Sequence, residues 1–373
     1  MRCCVGSVLA RKKINRQTCR SFLRSKLAGA KTKVVTFGSK AACQAFIFNN
    51  NEVERVETYK YLGFEFHATK NLAHGVSQLV SSAKKAMHSM NRRCALLPIS
   101  DAGLRCKLFD SLVLPILSYA SEVWAVDDKI GDAAELVHRQ FLKHLLGVRD
   151  STANVIVLAE LGCFPLCFHW WQQILRYHNR INDLSDDERL IKCAFVEGMH
   201  DPAYLFWSHK VHTWLQGQSV GLGIEDEADV GTVIGNVKTH YAQTWHQNSL
   251  SSVARYQPLQ PEYVLAPYLS TVMGFKSRKL ISRFRCGCHG LHVDTGRLLP
   301  QAQQVPREQR HCIFCASGSA EASPRMNIIL CLTVWHIVPS GTSLQTYFGA
   351  QPPHCLPSLL ECFTRELYMI LKT

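Results

Sequence analysis

Cys312 and Cys315 stand in Arg310-His311-Cys312-Ile313-Phe314-Cys315. A Cys-x-x-Cys turn presents two thiolates from one tight loop, which is half of a tetrahedral zinc site. A closed structural site needs two more ligands, and Cys331 and His336 downstream, or His289 and His292 upstream, are available. Glu135 and His138 have the i, i+3 spacing of another half-site, but no second half accompanies them, so the expectation is a surface pair. Paired carboxylates would be a different chemistry, because they can hold the metal ions of phosphoryl transfer. Asp127-Asp128 and Asp186-Asp187 have that form, and they read as helix-cap or loop residues. No His-Glu-x-x-His, P-loop or Gly-x-Ser-x-Gly motif is present.

Cations supply the remaining chemistry. The 373 residues carry a net charge of +13, which points to a polyanionic partner. Eleven cations and no acid precede Glu52, so +11 of the charge lies in the first 51 residues and only +2 in the rest. Such a leader fits a nucleic-acid-binding arm, a mitochondrial-type presequence, or upstream sequence never selected to fold. Its apolar residues fit one helical face only loosely, which favours the last. No apolar run of about 18 residues predicts a membrane-spanning helix. Sixteen cysteines in a chain without a signal peptide read as reduced thiols. The expected location is intracellular, cytoplasmic or nuclear, with mitochondrial as the alternative.

The elements that must position these groups begin with two strand candidates, Lys31–Gly38 and Val53–Phe66, separated by the turn signal Asn49-Asn50-Asn51. The second places Tyr59 and Tyr61 on one face, Lys60 and Leu62 on the other, and Gly63 where backbone can approach closely. Leu72, Val76, Leu79, Val80, Ala83, Ala86, Met87 and Met90 follow helical spacing. Lys84, Lys85, Arg92 and Arg93 decorate the other side, either as a solvated face or tracking phosphates. Ser100 or Asp101 caps a second helix, kinked at Pro115, with the stripe Leu104, Leu108, Leu112, Ile116, Ala120 and Trp124. A third helix over roughly 133–146 buries Val137, Phe141 and Leu145, shows His138 and Arg139, and stops at Gly147. A fourth carries Trp170 and Trp171, whose helical spacing predicts a core role over base stacking. Further on, Trp207–Leu215 and Val237–Trp245 read as helices, and Gly217–Gly235 as a loop.

Lys31-Thr32-Lys33-Val34-Val35-x-Phe37-Gly38, then the asparagine turn, then Tyr59-Lys60-Tyr61-Leu62-Gly63, resembles the end of the palm in the reverse transcriptases of non-LTR (LINE-type) retrotransposons. Residues 110–124, Asp-Ser-Leu-Val-Leu-Pro-Ile-Leu-Ser-Tyr-Ala-Ser-Glu-Val-Trp, resemble the thumb helix of the same enzymes, and His138–Gly147 again is similar to them. Arg283-Phe284-Arg285 through Arg297, with Cys312 and Cys315, resembles their C-terminal zinc-knuckle region.

The resemblance implies a mainly α fold. A β-hairpin (31–68) would be followed by a thumb-like helical bundle (69–185), a connecting region (186–275) and a small Cys/His-rich module (276–320). It implies nucleic acid, RNA or DNA, near Lys31, Lys33, Lys60, Tyr61, Leu62 and Gly63. Lys84, Lys85, Arg92, Arg93, Arg283 and Arg285 would contact phosphates. Structural zinc, held weakly, would use Cys312, Cys315, Cys331 and His336. The hairpin is expected to lean on the first helix through Val56, Leu62 and Phe64, since two strands alone are marginal in water.

Two departures from the family matter. Its metal-binding carboxylates come from an aromatic-x-Asp-Asp turn ahead of Lys-Thr-Lys, and no carboxylate precedes Glu52 here. Mg²⁺ and polymerisation are therefore not expected. The family also places an acidic-acidic-His-His stretch shortly after the Cys-x-x-Cys. Read one frame over, from the third base of the Arg325 codon, Met326-Asn327-Ile328-Ile329 permits Asp-Glu-His-His. Residues 321–373 are accordingly read as an out-of-frame tail. The reading is a reverse-transcriptase fragment without catalytic carboxylates that retains nucleic-acid binding. The alternative is a non-enzymatic, zinc-coordinating helical scaffold or nucleic-acid-binding protein.

Overall fold

Aromatic residues at 59, 61, 64 and 66 share one face only if the chain reverses between 61 and 64, because alternation along a single strand would send the two pairs to opposite faces, whereas directly opposed residues in an antiparallel pair share a face. That is what happens. The computed structural model describes residues 33–37, 47–48, 51–69, 71–184, 190–199, 207–218, 229–270, 275–288, 301–304 and 306. In it β1 (Ile47–Phe48) pairs antiparallel with β2 (Asn51–Glu52), and β3 (Thr58–Tyr61) pairs antiparallel with β4 (Phe64–His67). Tyr59 lies opposite Phe66 and Tyr61 opposite Phe64. Leu62 and Gly63 form the loop with φ of 46° and 94°, the left-handed geometry that two-residue hairpins need.

The expected pairing of 31–38 with 53–66 is thereby corrected. Residues 53–66 contain their own turn, and Val34 meets the second segment only in a parallel bridge to Arg55. Reading 53–66 as one strand overlooked a slip in the alternation: the aromatics move from odd positions (59, 61) to even positions (64, 66), which a single strand would send to opposite faces.

The remainder is helical. α1 (Asn71–Leu96) buries Val76, Leu79, Ala83, Met87, Met90 and Cys94, as its periodicity predicts. A Cβ on Gly75 would lie 2.3 Å from the Phe64 ring, so the hairpin docks on α1 where a side chain is missing. Phe64 is the buried anchor, whereas Leu62 stands 74% exposed. Leu62 therefore does not provide the docking contact expected of it.

The single kinked helix expected after Asp101 is instead three: α2 (Ala102–Leu112), α3 (Leu114–Leu117) and α4 (Ser121–Trp124). Asp101 does cap α2, accepting the Leu104 N–H. Pro115 has no N–H to continue the ladder, and Ala120 takes a left-handed φ of 57° ahead of α4. The buried positions are Arg105, Phe109, Val113, Leu117 and Trp124, while Leu104 and Leu112 are exposed. Through residue 117 the true stripe runs one residue later than the expected one.

α5 (Asp128–Leu146) starts at Asp127, whose carboxylate accepts the Lys129 N–H at 3.1 Å, and ends at Gly147 with φ 68°. α6 (Asn154–Leu161), α7 (Leu166–Asn182), α8 (Leu190–Met199), α9 (Trp207–Gly217), α10 (Val230–Thr244), α11 (Ser251–Tyr256) and α12 (Phe275–Arg285) follow. α10 begins inside the stretch expected to be a loop, because Asp229 accepts the Gly231 and Thr232 N–H groups and so starts the helix before its glycines can break it. No single helix among the described residues is long and apolar enough to cross a membrane. The described cysteines form no disulfide.

The chain divides into two compact units. One comprises Met1–Ser89, Asp110–Val137 and Leu166–Val237; the other comprises Met90–Phe109, His138–Pro165 and Lys238–Thr373.

The first unit is built on tryptophan. Trp124 lies edge-on to Trp170 at 5.1 Å, and Trp171 stacks on Trp214 at 4.1 Å. The indole N–H groups of Trp124, Trp170 and Trp207 donate to Tyr119 O, Ser118 Oγ and Glu122 O, which satisfies them within the core. Glu135, expected at the surface, is 5% exposed and accepts the Leu166 N–H at 2.7 Å, capping α7.

The second unit stacks Phe109 on Phe141 at 4.4 Å, with the ring of His138 5.5 Å from Phe109. At 4% exposure, His138 too is a core residue. An i, i+3 spacing shows only that two side chains share a face, and here that face is the inner one. Nearby, Glu160 is fully buried and receives Tyr268 Oη at 2.7 Å, Arg285 Nε at 2.7 Å and the Tyr256 hydroxyl.

Candidate nucleic-acid interface

The hairpin loop presents Leu62 and Gly63 outward, and Tyr119 fixes it from below by donating its hydroxyl to Leu62 O. A Cβ at Gly63 would sit 3.5 Å from that hydroxyl, and the positive φ of this glycine is costly for any other residue. Lys60 is exposed on β3, directly opposite Glu65 of β4. Glu65 in turn meets His74 Nε2 of α1 at 2.9 Å. The loop is therefore braced on both sides, with a cation on its outer face.

α1 contributes the larger charge. Its 26 residues contain no acid, so nothing within the helix neutralises Lys84, Lys85, Arg92 and Arg93. Lys84 is half-buried and the other three are exposed. None of the four has an ion-pair partner among the described residues. At 1.5 Å per residue the helix is roughly 39 Å long, and its cations occupy the half away from the hairpin's Phe64 anchor. Point charges on a rigid rod can follow a phosphodiester backbone without reading its sequence.

Other expected contacts fall elsewhere. Lys33 pairs with Glu54, so its charge is already met. Arg285 is 5% exposed and held by Glu160 and Gln260. Burial works to lower its pKa, but the Glu160 carboxylate more than compensates and holds it above the usual arginine value. Arg283 donates Nε to Gly147 O at 2.8 Å. These two arginines serve the fold of the second unit. Lys31 and the zinc candidates Cys312, Cys315, Cys331 and His336 lie outside the described residues. Among the described residues no group of three or more His, Cys, Asp or Glu side chains is placed to hold a metal ion.

Sequence reasoning passed over Tyr119 as an interface residue. Its role depends on a contact across 57 residues, for which no local signal exists.

Over 126 residues, the chain is 29% identical to an uncharacterized transposon-derived protein of Caenorhabditis elegans. The similarity is distant and partial. The matched stretch is 34% of this chain and 41% of the relative. No family model matches, and no solved structure matches.

Proposed function

We propose that this chain belongs to the lineage of non-LTR retrotransposon reverse transcriptases and binds single-stranded or duplex nucleic acid through its phosphates, without polymerising it. The observation that carries the reading is the acid-free helix α1, whose four cations have no ion-pair partner among the described residues, with the braced hairpin docked on it at Gly75. The partial similarity to a transposon-derived protein supports the same lineage, as do the Lys-Thr-Lys and Tyr-Lys-Tyr-Leu-Gly segments. Within these 373 residues no aromatic-x-Asp-Asp turn precedes the hairpin. These 373 residues thus supply no such turn for the two-metal clamp of phosphoryl transfer.

The test is a salt titration of affinity for a labelled oligonucleotide. Lys60, Lys84, Lys85, Arg92 and Arg93 together give a log–log slope on the order of −3 to −4 on a single strand. The double variant Lys84→Gln/Lys85→Gln should flatten it by about 1 to 2. An affinity indifferent to salt would show the chain to be a protein-binding scaffold instead. Primer extension with Mg²⁺ or Mn²⁺ should not exceed a protein-free blank.

A further inference from the structure

Within the second unit a groove of about 500 Å³ opens beside the C-terminal half of α10. Phe164 and Tyr263 form an aromatic part of its wall, with Tyr241 behind Tyr263 outside the lining. Phe164 and Tyr263 stand 5.1 Å apart, tilted by 36°, and Tyr241 meets Tyr263 edge-on at 5.6 Å. The Tyr263 hydroxyl donates to Cys163 O, which fixes the ring as a wall rather than a swinging lid. Lys238 holds its ammonium 5.5 Å from the centre of the Phe164 ring. Gln243 and Glu262 stand exposed at the rim, and His246 is half-buried beside them.

The geometry points to a binding site for one nucleotide unit, with its base against Phe164 and Tyr263 and its phosphate at Lys238. The lining selects this class by elimination. A fixed aromatic wall favours a flat ligand that offers a π-face. A lysine already seated over that wall repels a cationic ligand and attracts an anionic one. An apolar side chain of a partner protein would leave the lysine and the rim amide without use. Glu262 and Gln243 suit sugar hydroxyls and base edges, and the volume is within the range of small-ligand sites. This proposal does not rest on the reading of the α1 cations. Its nucleotide could be a free mononucleotide or one residue of a single strand.

Trp245 is buried 6.2 Å from Tyr263 and supplies a reporter. Titrating the full chain with 5′-AMP should change its fluorescence saturably. Phe164→Leu should weaken binding on the order of tenfold, the scale of one lost stacking contact. Lys238→Gln should weaken AMP but leave adenosine unchanged, and Lys84→Gln/Lys85→Gln should affect neither. An oligodeoxyadenylate that displaces AMP, when an abasic strand of equal length does not, assigns the site to single strands. Failure to displace assigns it to the free nucleotide; both sustain the proposal. It is overturned if millimolar AMP gives no saturable change. Inorganic phosphate binding as well as AMP, or affinity surviving in both Phe164→Leu and Lys238→Gln, would overturn it equally.

Discussion

α1 and α12 are alike as sequences and opposite as structures. Each is basic and contains no acidic residue. On α1 the cations at 85, 92 and 93 stand in solvent, whereas on α12 Arg278 and Arg285 are 2% and 5% exposed. The difference is what each meets. The Glu160 carboxylate, 125 residues away in sequence, compensates Arg285 with two hydrogen bonds, and Nη2 also donates to Gln260 Oε1 and Leu259 O. Arg278 has less help. Burial and the neighbouring Arg105 both lower its pKa. A run of basic residues is therefore no measure of a polyanion-binding surface until its partners are known.

The contrast is broken most severely at Glu160. Glu160→Ala leaves a buried guanidinium and two buried hydroxyls without their acceptor, and should cost about 3–5 kcal/mol in denaturant unfolding. Glu160→Leu combined with Arg285→Met should recover part of that loss, because no buried charge then remains. Full recovery is not expected, since Tyr256 and Tyr268 still lose an acceptor.

Gly75→Ala tests how α1 is seated. The new methyl meets the Phe64 ring at 2.3 Å and Glu65 O at 2.7 Å, and the overpacking should cost about 1–3 kcal/mol. Amide exchange of β3 and β4 should rise in the same variant.

His178 extends the comparison to a base that is buried without an acid. Burial lowers its pKa below the usual histidine value, with His212 and Lys192 acting the same way against the bond to Asn179. The folded state thus favours the neutral ring, and the unfolded state takes up a proton more readily. The contribution is fully present above the unfolded pKa of about 6.5 and is lost as pH falls through the folded value. His178→Gln should therefore flatten the acid limb of a stability–pH curve below about pH 6.5. A limb of unchanged steepness would show that another group governs it.

The smallest effect on stability is expected where the effect on binding is largest. Replacing Lys85, Arg92 and Arg93 by Gln should each change unfolding free energy by no more than about 0.5 kcal/mol. Each should flatten the salt slope by about 0.7 on a single strand. Loss of stability comparable to that of Glu160→Ala would erase the distinction between the two helices.

Features decided within a few residues were legible in the sequence. The buried stripe of α1, the cap at Asp101 and the end of α5 at Gly147 all rest on helical periodicity or on a side chain bonding its own first turn, whereas α5 starts at Asp128, ahead of the expected 133. The core role of Trp170 and Trp171 was legible for the same reason. The mainly helical class with an N-terminal hairpin followed from the family resemblance, and the exposure of Lys85, Arg92 and Arg93 from helical periodicity.

Tertiary structure alone decided the rest. Periodicity put Glu135 and His138 on a shared face but could not say that neighbours cover it. The burial of Arg285 by Glu160 and the bracing of Leu62 by Tyr119 span 125 and 57 residues. Spacing along a chain governs which side chains share a face; whether that face meets water, a carboxylate or a ring depends on segments that only folding brings alongside.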